Sequence, residues 1–352
     1  MLTRRWGKSG ISPAKRRFKT TLGVAVLVVM PVAVALLSIC TGRYPVPLSS
    51  AFGALWQGLT GRQSGVTVEE FAIIMSIRLP RIVMGALVGA ALAASGTAFQ
   101  GIFRNPLVSS GILGVSSGAS LGAAISILLF ANYLMTPLFA FMFGLLAVFL
   151  SYMVGKIHNT TTAVTLVLGG TIISSMFASL LALVKYVADP YNQLPAITFW
   201  TMGSLASAVY ANIEFAVIPI IAGMIILLLN GWNINVLSMG DSEAKTLGLN
   251  VGAAKLMVIV GATLATAGAV CVSGTVGWVG LIVPHIARFF TGNDNRKLMP
   301  VSMSMGACFL MLIDILCRVI TDAEIPLGIM TAIIGGPFFI YLIKKKKGHG
   351  WA

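Results

Sequence analysis

The chain has 352 residues, 57% of them hydrophobic and 10% charged, with a mean hydropathy of +0.93 and a net charge of +14. A soluble domain carries about 25% charged residues, so this chain cannot cover a water-facing surface and is predicted to be an all-α membrane protein. The positive charge does not point to nucleic acid, because it flanks apolar runs instead of sitting on a soluble domain.

Residues 1–20 form a basic extension holding Arg4, Arg5, Lys8, Lys15, Arg16, Arg17 and Lys19. The apolar run that follows, Thr21 to Cys40, is too long for the core of a signal peptide, and no small-residue cleavage pattern comes after it. It is read as a retained first span. Runs between charges or turn residues then give ten spans over 21–343, near 21–41, 82–102, 113–130, 135–155, 163–184, 215–230, 256–273, 275–290, 299–317 and 326–343. The 51 residues between Arg104 and Lys156 hold no charge and divide into two spans, with a turn expected near Ala131-Asn132-Tyr133. The 32 uncharged residues between Lys255 and Arg288 hold one full span and one, 275–290, that Gly277, Gly280 and Pro284 interrupt. Residues 344–352 form a basic tail. With both ends in the cytoplasm, the ten spans put 18 of the 24 Lys and Arg inside and six outside (Arg43, Arg62, Arg78, Arg81, Lys185, Arg318), in keeping with the positive-inside rule.

Val88-Gly89-Ala90-Ala91-Leu92-Ala93-Ala94-Ser95-Gly96 nearly repeats in Val260-Gly261-Ala262-Thr263-Leu264-Ala265-Thr266-Ala267-Gly268, with six of nine positions identical. The first stretch lies in span two, running inward, and the second in span seven, running outward. Spans two to five and seven to ten are therefore read as inverted copies, with spans one and six as additions. In inverted-repeat transporters the pathway forms where the repeats meet, often beside broken helices. Gly114, Ser116, Ser117 and Gly118, together with Gly277, Gly280 and Pro284, are the pathway candidates. Close packing alone is the alternative explanation of these glycines.

Several chemistries are missing. No phosphate-binding loop occurs, since Gly240-Asp241-Ser242-Glu243-Ala244-Lys245-Thr246 lacks the second glycine. Gly114-Val115-Ser116-Ser117-Gly118 matches the nucleophile elbow of serine hydrolases only formally, because it sits in a membrane helix without His and Asp partners. The three His residues (His158, His285, His349) fall at cytoplasmic ends. Cys40, Cys271, Cys308 and Cys317 lack paired spacing, which suits buried thiols and not a disulfide or metal site. Asp314 and Arg318 share a helix face four residues apart. Charge at membrane depth marks function by default, though a neutralised structural bridge is an equal reading for Asp314.

Five ordered motifs carry a resemblance: Arg78-Leu79-Pro80-Arg81; Gly101-Ile102-Phe103-Arg104-Asn105-Pro106-Leu107; Leu113-Gly114-Val115-Ser116-Ser117-Gly118-Ala119; Gly277-Trp278-Val279-Gly280-Leu281-Ile282-Val283-Pro284-His285; and Glu324-Ile325-Pro326-Leu327-Gly328 leading to Gly335-Gly336-Pro337-Phe338-Phe339-Ile340. From about Thr41 to the C-terminus the chain resembles the FecCD family, the membrane subunits of ABC importers for iron-siderophores, haem and cobalamin. The resemblance implies ten spans per subunit and a homodimer or a dimer with a close paralogue in the bacterial inner membrane. It also implies two cytoplasmic ATPase subunits, which hold the ATP and Mg, and an extracytoplasmic binding protein. No cofactor or metal is expected on this chain itself. In the family, outer-face arginines receive glutamates of the binding protein; Arg78, Arg81 and Arg318 occupy those places, with snorkelling anchors as the alternative. Gly240, Asp241, Glu243, Ala244, Leu247 and Gly248 match the loop that couples to the ATPase. Its Ala244 and Leu247 are expected to bury against that partner. Thr161 and Thr162 fall at the family's cytoplasmic gate, although Ala163 stands where a serine occurs.

The function implied is import of a metal chelate, an iron(III)-siderophore by default and haem or cobalamin otherwise, by alternating access. An ion-coupled secondary transporter would need ionisable residues at mid-membrane, for which Asp314 alone is thin support. A non-transporting scaffold would need neither glycine-broken spans nor a coupling loop.

Overall fold

Helix α4 (Leu79–Ile102) is almost wholly buried, and small residues explain how so many neighbours reach it. A Cβ on its Gly89 would lie 2.2 Å from the carbonyl oxygen of Gly306, and one on Gly96 would lie 1.9 Å from that of Gly280. The helices bearing those partners, α14 (Asn295–Val319) and α13 (Val279–Thr291), therefore touch α4 backbone to backbone. Such contact is available only where no side chain intervenes, and it is how apolar helices pack when lipid supplies no hydrophobic drive between them.

The computed structural model describes residues 13–130, 135–157 and 160–345. Around α4, α13 and α14 stand α1 (Pro13–Cys40), α2 (Leu48–Thr60), α3 (Val68–Ala72), α5 (Val115–Phe130), α6 (Met135–Gly155) and α7 (Ala163–Val187). The rest are α8 (Gln193–Met202), α9 (Tyr210–Leu229), α10 (Gly231–Met239), α11 (Asp241–Thr246), α12 (Val251–Ser273) and α15 (Leu327–Lys345). A π turn, Ile73–Arg78, joins α3 to α4, and a two-residue antiparallel ladder (Lys156–Ile157 with Thr160–Thr161) joins α6 to α7.

Each of the ten expected apolar runs falls on a helix, but length and composition single out fewer. Among the described residues, six helices are long and apolar enough to cross a bilayer: Val68–Ile102, Met135–Gly155, Ala163–Val187, Tyr210–Leu229, Val251–Ser273 and Asn295–Val319. Val115–Phe130 and Val279–Thr291 have 16 and 13 residues, short of the ~20 a span requires, while the apolar stretches Leu27–Cys40 and Leu327–Leu342 belong to α1, of 28 residues, and α15, of 19. The turn expected at Ala131-Asn132-Tyr133 lies outside the described residues, as do His158, His349 and much of the basic extension and tail.

Contacts between the two sets of helices expected as halves run both ways. Helix α4 lies on α12, α13 and α14, and α12 in turn lies on α4, α5 and α6. The first helix of each half thus meets the first three helices of the other. The second helix of each half is short and starts directly after a residue in the left-handed region, Gly114 (φ 85) before α5 and Trp278 (φ 69) before α13.

Pro284 inside α13 has no N–H to give the carbonyl of Gly280, four residues back. Gln100 of α4 repairs this: its Nε2 donates to the Gly280 oxygen at 3.3 Å and to the Leu281 oxygen at 3.4 Å, while its Oε1 accepts from Arg288. The interruption read in the sequence is therefore a helix whose freed carbonyl is satisfied from α4.

Gly89→Val should force α4 and α14 apart, because the clash is with backbone. We expect loss of folded protein or a destabilisation of about 1–3 kcal/mol or more, read as thermal unfolding in detergent. Gly336→Ala, where nothing lies within 4 Å of the added carbon, should leave the transition unchanged.

Candidate functional site

The π turn sets the phase of two arginines. Thr67 and Glu70 cap the start of α3 reciprocally, and five residues later the backbone slips so that the N–H of Leu79 reaches the carbonyl of Ile74. Arg78 and Arg81 then both point inward, 4% and 6% exposed. Arg81 donates through Nε to Asp314 Oδ1 at 2.7 Å and through Nη1 to Glu324 Oε2 at 2.9 Å. Asp314, 2% exposed, also takes Arg318 Nε on Oδ2 at 3.1 Å. Arg318 Nη2 donates to Ser38 Oγ at 2.8 Å, tying α14 to α1. Arg78 donates to the carbonyls of Ile39 and Tyr44. Buried charges persist only when paired and hydrogen-bonded, and here the Arg81 and Arg318 guanidinium groups meet two carboxylates while Arg78 is held by backbone carbonyls. The three arginines singled out in the sequence converge on one cluster, buried and bonded within the chain.

At the other end of α4, about 36 Å away at 1.5 Å per residue, a cleft of about 380 Å³ opens beside α11. Arg104, Thr162, Gly240, Asp241, Ser242, Glu243 and Lys255 line it. Lys255, 3% exposed, donates to Asp241 Oδ2 at 2.6 Å and pins the start of α11 to α12. Ala244 is fully buried among the chain's own residues, whereas Leu247 is 56% exposed. The expectation that both would bury against a partner is corrected for Ala244, because the helix turns that face onto its own bundle. Gly240 takes φ 134, a value side chains rarely adopt, and Gly248 takes φ 78. Thr162 spends its hydroxyl capping α7, accepting from the N–H of Thr165 at 3.2 Å. Thr161 lies in the two-residue ladder, and its side chain lies outside the described residues.

A second polar knot fixes this end. Asn235 of α10 accepts from the N–H of Asn295 at 2.7 Å and donates to Asp294 at 2.7 Å. Asp294 caps α14, and hydrogen bonds from Arg296 and then Asn235 pull its carboxyl down to about 2.

The model of the FecCD transport family matches residues 10–345. The chain belongs to the FecCD transport family. Among relatives, it is 37% identical to the molybdate import system permease protein MolB of Haemophilus influenzae, over 94% of this chain and 97% of that one. It is 34% identical to the hemin transport system permease protein HmuU of Yersinia pestis, over 94% and 98%. Among solved structures, a metal-chelate type ABC transporter in an inward-facing conformation superposes with a TM-score of 0.81 at 35% identity, over 93% of this chain and 99% of that one.

Within this FecCD chain the pathway candidates separate by environment. Gly118 lies against the backbone of Phe143, Gly280 lies against Leu92, and Pro284 is buried. Gly277 has nothing within 4 Å and is exposed, while Ser116 and Ser117 are half-buried. Gln100, Asn235, Lys255, Ser38 and Glu324 were given no role from sequence. A lone amide or ammonium in an apolar run was the available signal for Gln100 and Lys255.

Asp314→Asn leaves two buried guanidinium groups without their shared anion. The expected loss is about 3–5 kcal/mol of stability, read as a lower unfolding temperature, with Glu324→Gln far milder because that side chain is partly exposed. Asp294 supplies a separate acid test. Its folded pKa lies below the unfolded one, so its contribution is present above about pH 4 and disappears as pH falls toward 2. The stability gap between the native chain and Asp294→Asn should close across that window.

Proposed function

We propose that this chain is the membrane-spanning permease subunit of an ATP-driven importer for a metal chelate. The observation that carries the reading is the near full-length superposition on a metal-chelate type ABC transporter at a TM-score of 0.81. In this reading the chain crosses the inner membrane ten times, with the short helices α5 and α13 completing their crossings inside the bundle and both termini in the cytoplasm. A second permease copy, two ATPase subunits that hold ATP and Mg, and an extracytoplasmic binding protein complete the machine. The Arg78–Arg81–Arg318 cluster faces the binding protein, and α11 with its cleft faces the ATPase through Leu247, beside the Thr161–Thr162 gate. The fixed length of α4 between these ends supports a mechanism of alternating access, in which motion at one end is felt at the other.

Substrate is proposed to be an iron(III) chelate of the siderophore type. A second reading, molybdate, is favoured by the 37% identity to MolB, and haem by the 34% identity to HmuU, values too close to select one. Uptake by vesicles reconstituted with permease, ATPase and binding protein decides it. We expect accumulation of ⁵⁵Fe-siderophore that requires ATP, is blocked by vanadate, and is abolished by Leu247→Asp with the permease still folded. Accumulation of ⁹⁹Mo-molybdate or haem in its place would replace the substrate, and uptake without an ATPase would overturn the reading.

A further inference from the structure

The cluster at the start of α4 contains two carboxylates of different standing. Asp314 is 2% exposed on the body of α14 and is held by both Arg81 and Arg318. It cannot leave without unpacking a helix. Glu324 sits on the exposed turn between α14 and α15, and its side chain is 34% exposed. Its grip is also the weaker one. Both of its oxygens lie on a single nitrogen of Arg81, Nη1, at 3.0 and 2.9 Å, where a carboxylate that takes two guanidinium nitrogens would be held by two parallel bonds. Without Glu324 the guanidinium groups of Arg81 and Arg318 would share the single carboxylate of Asp314.

We propose that Glu324 is an internal stand-in for an acidic side chain of the extracytoplasmic partner, occupying Arg81 until docking and displaced by it. The proposal rests on the docking reading above. Docking is then an exchange of one carboxylate for another, so Arg81 keeps a second anion throughout. The exchange also moves the turn that carries Glu324. That turn runs into α15, where Leu327 N–H donates to the carbonyl of Gly203 at 2.9 Å. Gly328 lies directly on the backbone of Met202 and Thr275, 2.5 and 3.0 Å from where its Cβ would stand. Release of Glu324 thereby acts on the turn before the short helix α13.

The test measures affinity between the permease complex in nanodiscs and the purified binding protein that sustains its ATP-driven uptake. Glu324→Gln should bind about two- to fivefold more tightly, the range of a partly exposed ion pair, with the gain shrinking at high salt. Arg81→Gln should bind more weakly. Unchanged or weaker binding by Glu324→Gln, with Arg81→Gln impaired, overturns the stand-in role and leaves the docking reading intact. Full affinity in Arg81→Gln removes the docking reading itself. A second measurement does not depend on the Glu324 variant: Asp322→Cys should react faster with a soluble thiol reagent when the binding protein is bound. An unchanged rate overturns the proposal.

Discussion

Contact between α4 and the backbones of α13 and α14 is the constraint on which the rest of the bundle depends. Apolar helices in an apolar solvent gain little from burying one another's side chains, so close approach and dispersion must hold them. Gly89 against Gly306 and Gly96 against Gly280 provide that approach at two heights on one helix. The same device recurs where Gly223 of α9 lies 2.5 Å, measured from a would-be Cβ, from the carbonyl of Gly261 on α12. The matching glycines of the near repeat thus meet different neighbours: Gly89 and Gly96 lie against α14 and α13, whereas Gly261 and Gly268 lie against α9.

Once α4 is seated, its two ends become fixed points. One end carries Arg81 to Asp314 and Glu324, which neutralise it, and Arg78 to the backbone carbonyls of Ile39 and Tyr44. The other end delivers Arg104 to a cleft closed by the Asp241–Lys255 pair. Between them Gln100 joins α4 to the proline-interrupted α13 through both halves of its amide. The Arg81, Gln100 and Lys255 side chains stand where a helix is broken or where two elements must keep register, and an unsatisfied polar group there would be costly.

Much of this was legible in the residues. Apolar runs located the helices because a lipid-facing segment has no other way to satisfy its backbone. The Asp314–Arg318 pair followed from helical spacing alone. The short helices α2, α8 and α10 were missed, since each is too brief or too mixed in polarity to stand out from its loops. The start of the helix through Val68–Ile102 was placed too late, because Glu69, Glu70, Arg78 and Arg81 look like the end of a span. Ala244 was assigned to a partner, yet which side of a six-residue helix faces inward depends on what lies beneath it.

Composition and periodicity by themselves determined that this is a helical membrane protein and where its helices lie, because hydropathy and helical spacing are local properties of the chain. Tertiary structure decided which helices touch, that Arg81 is shared between Asp314 and Glu324, that Gln100 serves the carbonyl freed by Pro284, and that α11 shows Leu247 and hides Ala244. Each of these joins residues far apart in sequence, and no local pattern encodes a pairing that forms only when two distant backbones come within a few ångströms.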